Sequence, residues 1–221
     1  MGIVNNKKYD LIVIGGGSGG VRAARIAAQH GAKVVLCEKD RMGGTCVIRG
    51  CIPKKLLFYS SQYKDFFNNA NSFGWKLDRY SYELNRMIKN KDKELLRLEK
   101  LYEKNAINSG VKVIYGEAKF TDKNNISINN KIINSDKIII AVGGLPLKLK
   151  VPGSEHTIDS DQVMQLKKLP NSLAIVGAGY IAIEFAFIFA NLGVKVSLIV
   201  RKKILRGFDS DLVSILEKNL I

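Results

Sequence analysis

Six residues, Gly15-Gly16-Gly17-Ser18-Gly19-Gly20, constrain this chain more than any other stretch. They follow Tyr9 to Ile14 (YDLIVI), a short run with the pattern of a buried strand. They precede an Ala-rich segment, Val21 to Gln29, that reads as a helix with Gly31 as its C-terminal stop. Lys33 to Glu38 (KVVLCE) reads as a second strand, so a βαβ unit closes in about 30 residues, the usual size. Gly15-x-Gly17-x-x-Gly20 has the dinucleotide spacing: its glycines permit a tight turn, close approach of a pyrophosphate, and close helix–strand packing. The helix start offers unpaired N–H groups and a partial positive charge to the phosphates. Glu38 ends the second strand, where an acid can bind two ribose hydroxyls. Such a glycine triplet alone matches many plain turns; strand, helix and acid in register make this one a dinucleotide site.

The unit recurs about 160 residues later. Leu173 to Val176 leads into Gly177-Ala178-Gly179-Tyr180-Ile181-Ala182, with alanine as an accepted third residue, and a further strand ends at Val200. The step that leads from Gly15 to Glu38 leads from Gly177 to Val200, so the acid is missing. Arg201, Lys202, Lys203 and Arg206 follow instead. Arginine accommodates a 2′-phosphate through charge-assisted hydrogen bonds, whereas an acid would repel it, so this unit is expected to prefer NADP(H).

Between the two units, helical patterns are expected over Leu56 to Phe67 and Ser81 to Asn108. Short strands at Val111 to Phe120, Ile126 to Ile128 and Lys131 to Ile133 suggest a β-meander, and Lys137 to Val142 another buried strand. Pro146, Pro152 and Gly153 mark a linker, and a helix starting at Asp209 is expected to run to Ile221. The net charge of +15 suggests a nucleic-acid binder, but the lysines are spread along the chain, often beside glutamates, without a clustered footprint. No nucleic-acid partner is expected. No apolar run is long enough to span a bilayer, so no membrane association is expected either, and a reducing cytoplasmic location is.

Three cysteines are too few for a disulfide scaffold. Cys37 lies on the second strand and reads as a packed thiol. Cys46 and Cys51 lie in GGTCVIRGCIPKK, Gly43 to Lys55, directly after the first βαβ unit. Two cysteines without a nearby histidine cannot complete a tetrahedral zinc site, so no metal is expected. As a staple, so short a loop would contribute roughly 2 kcal/mol. A redox-active dithiol is the better reading, with Arg49, Lys54 and Lys55 near enough in sequence to stabilise thiolates.

This segment resembles the active-site segment of the flavoprotein disulfide reductases, and within that superfamily the chain is most similar to the glutathione reductases. The resemblance covers essentially all 221 residues. It rests on GGGSGG with Glu38, Cys46-x4-Cys51, AVGG at Ala141 to Gly144, GAGYIA with Glu184, and RKKILRGFD. It implies FAD and NADPH as cofactors and glutathione disulfide as substrate. Electrons would pass from NADPH through the flavin to a Cys46–Cys51 disulfide. Cys51 would be the thiol beside the flavin and Cys46 the interchange thiol. Gly15, Gly17, Ser18, Gly19, Gly20, Glu38, Thr45, Cys46, Gly116 and Gly143 match FAD-contacting positions. Lys54 matches a lysine near the flavin ring, Glu184 the acid paired with it, and Tyr180 an aromatic gate. Lys55 could take the place of Lys54 if the register slips by one. Gly177, Ala178, Gly179, Ile181, Glu184, Arg201 and Arg206 match NADPH-contacting positions. The step from Arg201 to Arg206 is one residue shorter than that family leads one to expect, and Lys202 or Lys203 could compensate. Arg22, Arg25, Tyr102 and Asn105 match positions that line the disulfide pocket, and the positive charge of Arg22 and Arg25 suits an anionic substrate.

The expected architecture is α/β: a Rossmann-like FAD-binding domain with a β-meander (1–150), then an incomplete second Rossmann, NADPH-binding domain (151–221). The resemblance also implies a homodimer built by a C-terminal interface domain, for which these residues have no counterpart. The chain is therefore expected to be an N-terminal half that binds FAD poorly and turns over little on its own. A dihydrolipoamide dehydrogenase-like reductase, a non-catalytic FAD- or nucleotide-binding module and a basic binding protein are the alternatives. The cysteine pair argues against both binding-protein readings, and Arg201 against the first.

Overall fold

The computed structural model describes residues 4–220. In chain order its elements are β1 (Val4–Ile14), α1 (Ser18–Gln29), β2 (Val34–Glu38), α2 (Gly44–Arg49), α3 (Cys51–Asn69), α4 (Leu84–Asn108), β3 (Lys112–Tyr115), β4 (Lys119–Phe120), β5 (Asn125–Ile128), β6 (Lys131–Ile140), α5 (Ser160–Val163), β7 (Ser172–Val176), α6 (Tyr180–Asn191), β8 (Lys195–Ile199) and α7 (Ser210–Lys218). They divide into two compact units. The first is 1–53 with 90–161, the second 54–89 with 162–221. The segment 54–89 therefore packs with the second glycine unit, a grouping that a division at residue 150 does not contain.

In the first unit a six-stranded sheet has the order β3-β2-β1-β6-β5-β4. β1 pairs in parallel with β2 and β6, β2 with β3, while β4, β5 and β6 form the antiparallel meander. Alternation along β1 builds the two layers, because successive side chains point to opposite faces. Leu11 and Val13 join Val34 and Leu36 beneath Val21 and Ala24 of α1. Ile12 and Ile14 join Val35 and Cys37 beneath Ile126, Ile128 and Ile133 of the meander. Burial on both faces explains why these strands read as continuous apolar runs.

Several element boundaries differ from the sequence reading; β1 starts at Val4 rather than Tyr9, and α4 at Leu84 rather than Ser81. The expected strands Lys131 to Ile133 and Lys137 to Val142 are one strand, β6. Ser135, between the two expected strands, is fully buried, and its hydroxyl donates to the Lys137 carbonyl. The expected strand Val111 to Phe120 is split at Gly116, whose φ of 147° no β-residue with a side chain adopts readily. Helix α3 starts at Cys51 rather than Leu56, with Pro53 in its first turn, where a missing N–H leaves no helical bond unmade.

In the second unit β7 and β8 are parallel, with α6 between them in sequence. Leu57, Leu84 and Ile88 pack with Met164, Phe185, Ile188 and Phe189. Ile183, Ile204 and Val213 form a second cluster. The Asp209 carboxylate caps α7, accepting from the N–H groups of Asp211 (3.0 Å) and Leu212 (3.1 Å). Ile221, to which that helix was expected to run, lies outside the described residues. Among the described residues no helix is long and apolar enough to cross a membrane.

Candidate active site

The first glycine loop leaves β1 at Gly15, whose φ is 111°. A Cβ there would clash with the Ala141 carbonyl, so only glycine lets Ala141 and Val142 pass this close. A Cβ on Gly20 would sit 1.9 Å from the Gly15 carbonyl oxygen, so the third glycine seats α1 on β1. Gly17 and Gly19 are different, because a Cβ on Gly17 meets only Gly44 Cα at 3.7 Å and one on Gly19 meets nothing within 4 Å. Their open side is a cradle, and no side chain caps the α1 N-terminus and no acid lies in its first turn. Uncapped N–H groups at an open glycine turn suit an anion.

Glu38 is buried beneath this loop, 8% exposed. It accepts from Gly16 N–H (2.6 Å) and from Asp40 N–H (2.8 Å), which leaves further acceptor capacity for hydroxyls. Gly116 N–H donates to the Glu38 carbonyl (2.8 Å). Gly143 is exposed beyond β6, and its φ is 71°.

The dithiol segment is tied to the same loop. Gly43 N–H donates to the Gly16 carbonyl (2.8 Å), and Gly43 bridges Gly17 as in a parallel ladder. Thr45 and Cys46 lie in α2, and Cys51 opens α3. Both thiols are free; Cys46 is half-buried and Cys51 exposed. Burial pushes the Cys46 thiol up, its hydrogen bond with Cys51 adds to that, and the Ser18 hydroxyl, donating to the sulfur, opposes both. This corrects the expectation that basic neighbours stabilise a thiolate here. Arg49 is taken up by Asp40 (3.2 Å) and Asp161 (3.6 Å), and Lys55 lies over the Tyr59 ring at 5.4 Å from its centroid. Cys37 is buried, and its thiol is pushed up to about 11.

In the substrate set, Arg25 Nε donates to Ser109 Oγ (3.1 Å), which donates to the Asn105 carbonyl (2.9 Å). Tyr102 is partly buried on the same helix, one turn before Asn105, and packs against the α1 side of the core. Arg22 is exposed on α1 and joins none of these contacts. Ser109 was not singled out from the sequence, and only the folded contact reveals it.

In the second unit Lys54, Tyr180 and Glu184 come together. Lys54 Nζ forms an ion pair with Glu184 and lies 5.1 Å from the Tyr180 ring centroid. Tyr180 and Glu184 are one turn apart on α6, so both address the same lysine. Lys54, not Lys55, is the partner of Glu184. The α6 N-terminus at Gly179 also lacks a side-chain cap and a first-turn acid, and a Cβ on Gly179 would meet nothing. Ile181 is exposed on the first turn of α6. The Leu205 N–H donates to the Ala178 carbonyl (2.7 Å), which draws the turn 201–206 onto the loop Gly177-Ala178-Gly179. Ile204 is buried beneath it, while Arg201, Lys202, Lys203 and Arg206 remain exposed. Each glycine loop thus has the open turn, free N–H groups and neighbouring side chains that fit a dinucleotide, acidic in one case and basic in the other.

A family model described as pyridine nucleotide-disulphide oxidoreductase matches residues 9–221. The chain belongs to this family. Membership implies FAD and NADPH as its cofactors, in accord with the acidic and the basic loop. Among curated relatives, the glutathione reductase of Nostoc sp. is 44% identical over 205 residues, which is 92% of this chain and 45% of that protein. The glutathione reductase of Burkholderia cepacia is 47% identical over 205 residues, 92% of this chain and 46% of that protein. The chloroplastic/mitochondrial glutathione reductase of Pisum sativum is 44% identical over 213 residues, 91% of this chain and 39% of that protein. The chain spans less than half the length of these relatives.

Proposed function

We propose that this chain carries the electron-transfer half of an NADPH-dependent, FAD-containing reduction of glutathione disulfide. The observation that carries the reading is the seating of Cys46 and Cys51 against the first glycine loop, through the Gly43–Gly16 hydrogen bond and the Ser18–Cys46 contact. FAD, when bound, supplies the transfer of an electron pair from NADPH to the Cys46–Cys51 disulfide. Gly17, Ser18 and Gly19 would hold its pyrophosphate and Glu38 its ribose. Ala178, Gly179 and the basic turn at Arg201 to Arg206 would hold NADPH. Lys54, positioned by Glu184 and Tyr180, would present its ammonium to the flavin ring.

The substrate step belongs to the cysteines. The Cys46 thiolate attacks one sulfur of glutathione disulfide, forming a mixed disulfide and expelling one glutathione thiolate. The Cys51 thiolate then attacks Cys46 Sγ, expelling the second glutathione and closing the Cys46–Cys51 disulfide. The dithiol is oxidised by two electrons, the glutathione disulfide is reduced by two, and the two thiol protons end on the two glutathiones. Arg25, Tyr102 and Asn105 would bind the anionic substrate, with Arg22 as a further positive charge. A homodimer and a cytoplasmic location complete the proposal, and the 221 residues alone are expected to turn over little.

Trapping tests the cysteine roles without requiring flavin. Reduced Cys51→Ser protein treated with glutathione disulfide should retain one glutathione on Cys46, located by peptide mass spectrometry. The wild-type chain should instead close Cys46–Cys51 and retain none. Adducts shared evenly between Cys46 and Cys37 in the variant, or an open dithiol in the wild type, would refute the assignment. Rapid NADPH-dependent turnover by the 221-residue chain would refute the expectation of low activity.

A further inference from the structure

Arg49 lies between the two cysteines in sequence, and the nucleotide reading leaves it without a role. It is the last residue of α2, and only Gly50 separates it from Cys51. The turn at Gly50 is close-packed against α2, because a Cβ there would sit 2.7 Å from the Thr45 carbonyl oxygen and 3.3 Å from Cys46 Cα, so the segment has little room to move toward that helix. Displacement of Arg49 is therefore passed to the backbone that carries both thiols. On its other side, Arg49 Nη1 donates to Asp40 Oδ2 (3.2 Å). The backbone N–H of Asp40 donates in turn to Glu38 Oε1 (2.8 Å). Asp161 Oδ2, 3.6 Å from Arg49 Nε, holds the guanidinium from another direction. An unbroken chain of polar contacts thus runs from the Glu38 carboxylate through Asp40 to Arg49, and along the backbone to Cys51.

We propose that Asp40 and Arg49 couple the ribose-binding acid Glu38 to the dithiol, so that nucleotide occupancy at Glu38 and the redox state of Cys46–Cys51 influence one another. A diol that draws on the Glu38 carboxylate competes with the Asp40 N–H for its electron density and shifts Asp40. Closure of the disulfide shifts Gly50 and Arg49 from the opposite end. Coupling between two sites is reciprocal by linkage: whatever factor the nucleotide exerts on the dithiol equilibrium, the disulfide exerts on nucleotide affinity. Arg49 is here a positioning residue, not a catalytic one, and its pair with Asp40 is partly solvated, so the coupling belongs at the weak end of the usual range.

The inference rests on the nucleotide-site reading of Glu38, and ADP separates the two ideas. ADP affinity is measured by calorimetry for the dithiol and disulfide forms, with thiol titration to verify each form. About a fivefold difference between them is expected. The ratio should fall to one in Arg49→Met and in Asp40→Asn, and should survive in Arg49→Lys, which keeps the charge. It should also shrink toward one in about 1 M salt, where exposed ion pairs are screened. A ratio, rather than an affinity, is the readout, because a merely structural defect would weaken both forms alike. Equal ADP affinity of the two wild-type forms would overturn the coupling alone. A ratio that persists in both Arg49→Met and Asp40→Asn would overturn the route. No ADP binding to either form would overturn the nucleotide site and this inference with it.

Discussion

The glycines of the first loop divide into those the fold needs and those a ligand needs, and Gly20→Ala against Gly17→Ala tests the division. A methyl on Gly20 would meet the Gly15 carbonyl oxygen at 1.9 Å and Val13 Cγ1 at 3.2 Å. Gly15 cannot retreat, because its N–H is bonded to the Cys37 carbonyl (2.8 Å) and its own Cβ position abuts Ala141. Alanine gains about 1 kcal/mol over glycine from helix propensity. Overpacking a filled site costs about 1–3 kcal/mol, and contact with the fixed Gly15 carbonyl belongs at the upper end. The net loss is about 2 kcal/mol, or roughly a 30-fold fall in amide-exchange protection. Gly17 sits at φ −77°, ψ −174°, open to any residue, and its methyl would make an ordinary 3.7 Å contact with Gly44 Cα. Gly17→Ala should therefore keep its protection to within about 1 kcal/mol while losing ADP and FAD binding, because the methyl fills the phosphate cradle. Hydrogen exchange of the β1 and β2 amides is the appropriate assay. The single tryptophan, Trp75, belongs to the other compact unit and does not report on these strands. Unchanged protection in Gly20→Ala, or an equal loss in both variants, would refute the reasoning.

Three further outcomes follow from the packing and electrostatics. Asp209→Ala removes both cap hydrogen bonds of α7 and should lower urea stability, read by Trp75 fluorescence, by about 1 kcal/mol, while Asp209→Asn should stay within a few tenths. The Cys37 thiol is raised from 9.0 to about 11 by burial, so the native state keeps a proton that the unfolded chain gives up. Its contribution is whole below pH 9 and is lost as pH climbs toward 11, at about 1.4 kcal/mol per unit, and Cys37→Ala should flatten that part of the wild-type stability curve. Lys91 is 1% exposed, and its ammonium is held by the neighbouring Asp92 (2.6 Å), a half-exposed partner. Lys91→Met keeps the volume without the buried charge and should be neutral or stabilising in thermal melts; a fall of several degrees would show that the ammonium is needed.

The first unit was largely legible because its signals are local. YDLIVI, the glycine triplet and KVVLCE lie within 30 residues, and each local preference agrees with the strand–turn–helix–strand that forms. The meander was legible in outline, but the break at Asn134 to Asp136 was not real. Polar residues there are held inside a continuous strand by Asn124, whose carbonyl accepts from Ser135 N–H, and by the Lys8–Asp136 ion pair. The grouping of 54–89 with 162–221 had no sequence signal, since Leu57 and Phe185 are far apart in the chain and any amphipathic helix could have covered α6. The thiol electrostatics failed for a related reason. Arg49, Lys54 and Lys55 are close to the cysteines in sequence, but a charge acts through its nearest partners. At an effective dielectric of about 20, opposite unit charges 4 Å apart interact by about 4 kcal/mol, so an acid in contact with a cation cancels most of what it offers a more distant sulfur. Asp161 reaches Arg49 from 112 residues away, and Glu184 reaches Lys54 from still farther. What Cys46 feels is therefore decided by burial, by its hydrogen bond with Cys51 and by Ser18. The cysteine pair was visible in the sequence, whereas Ser18 was read there only as part of a phosphate turn.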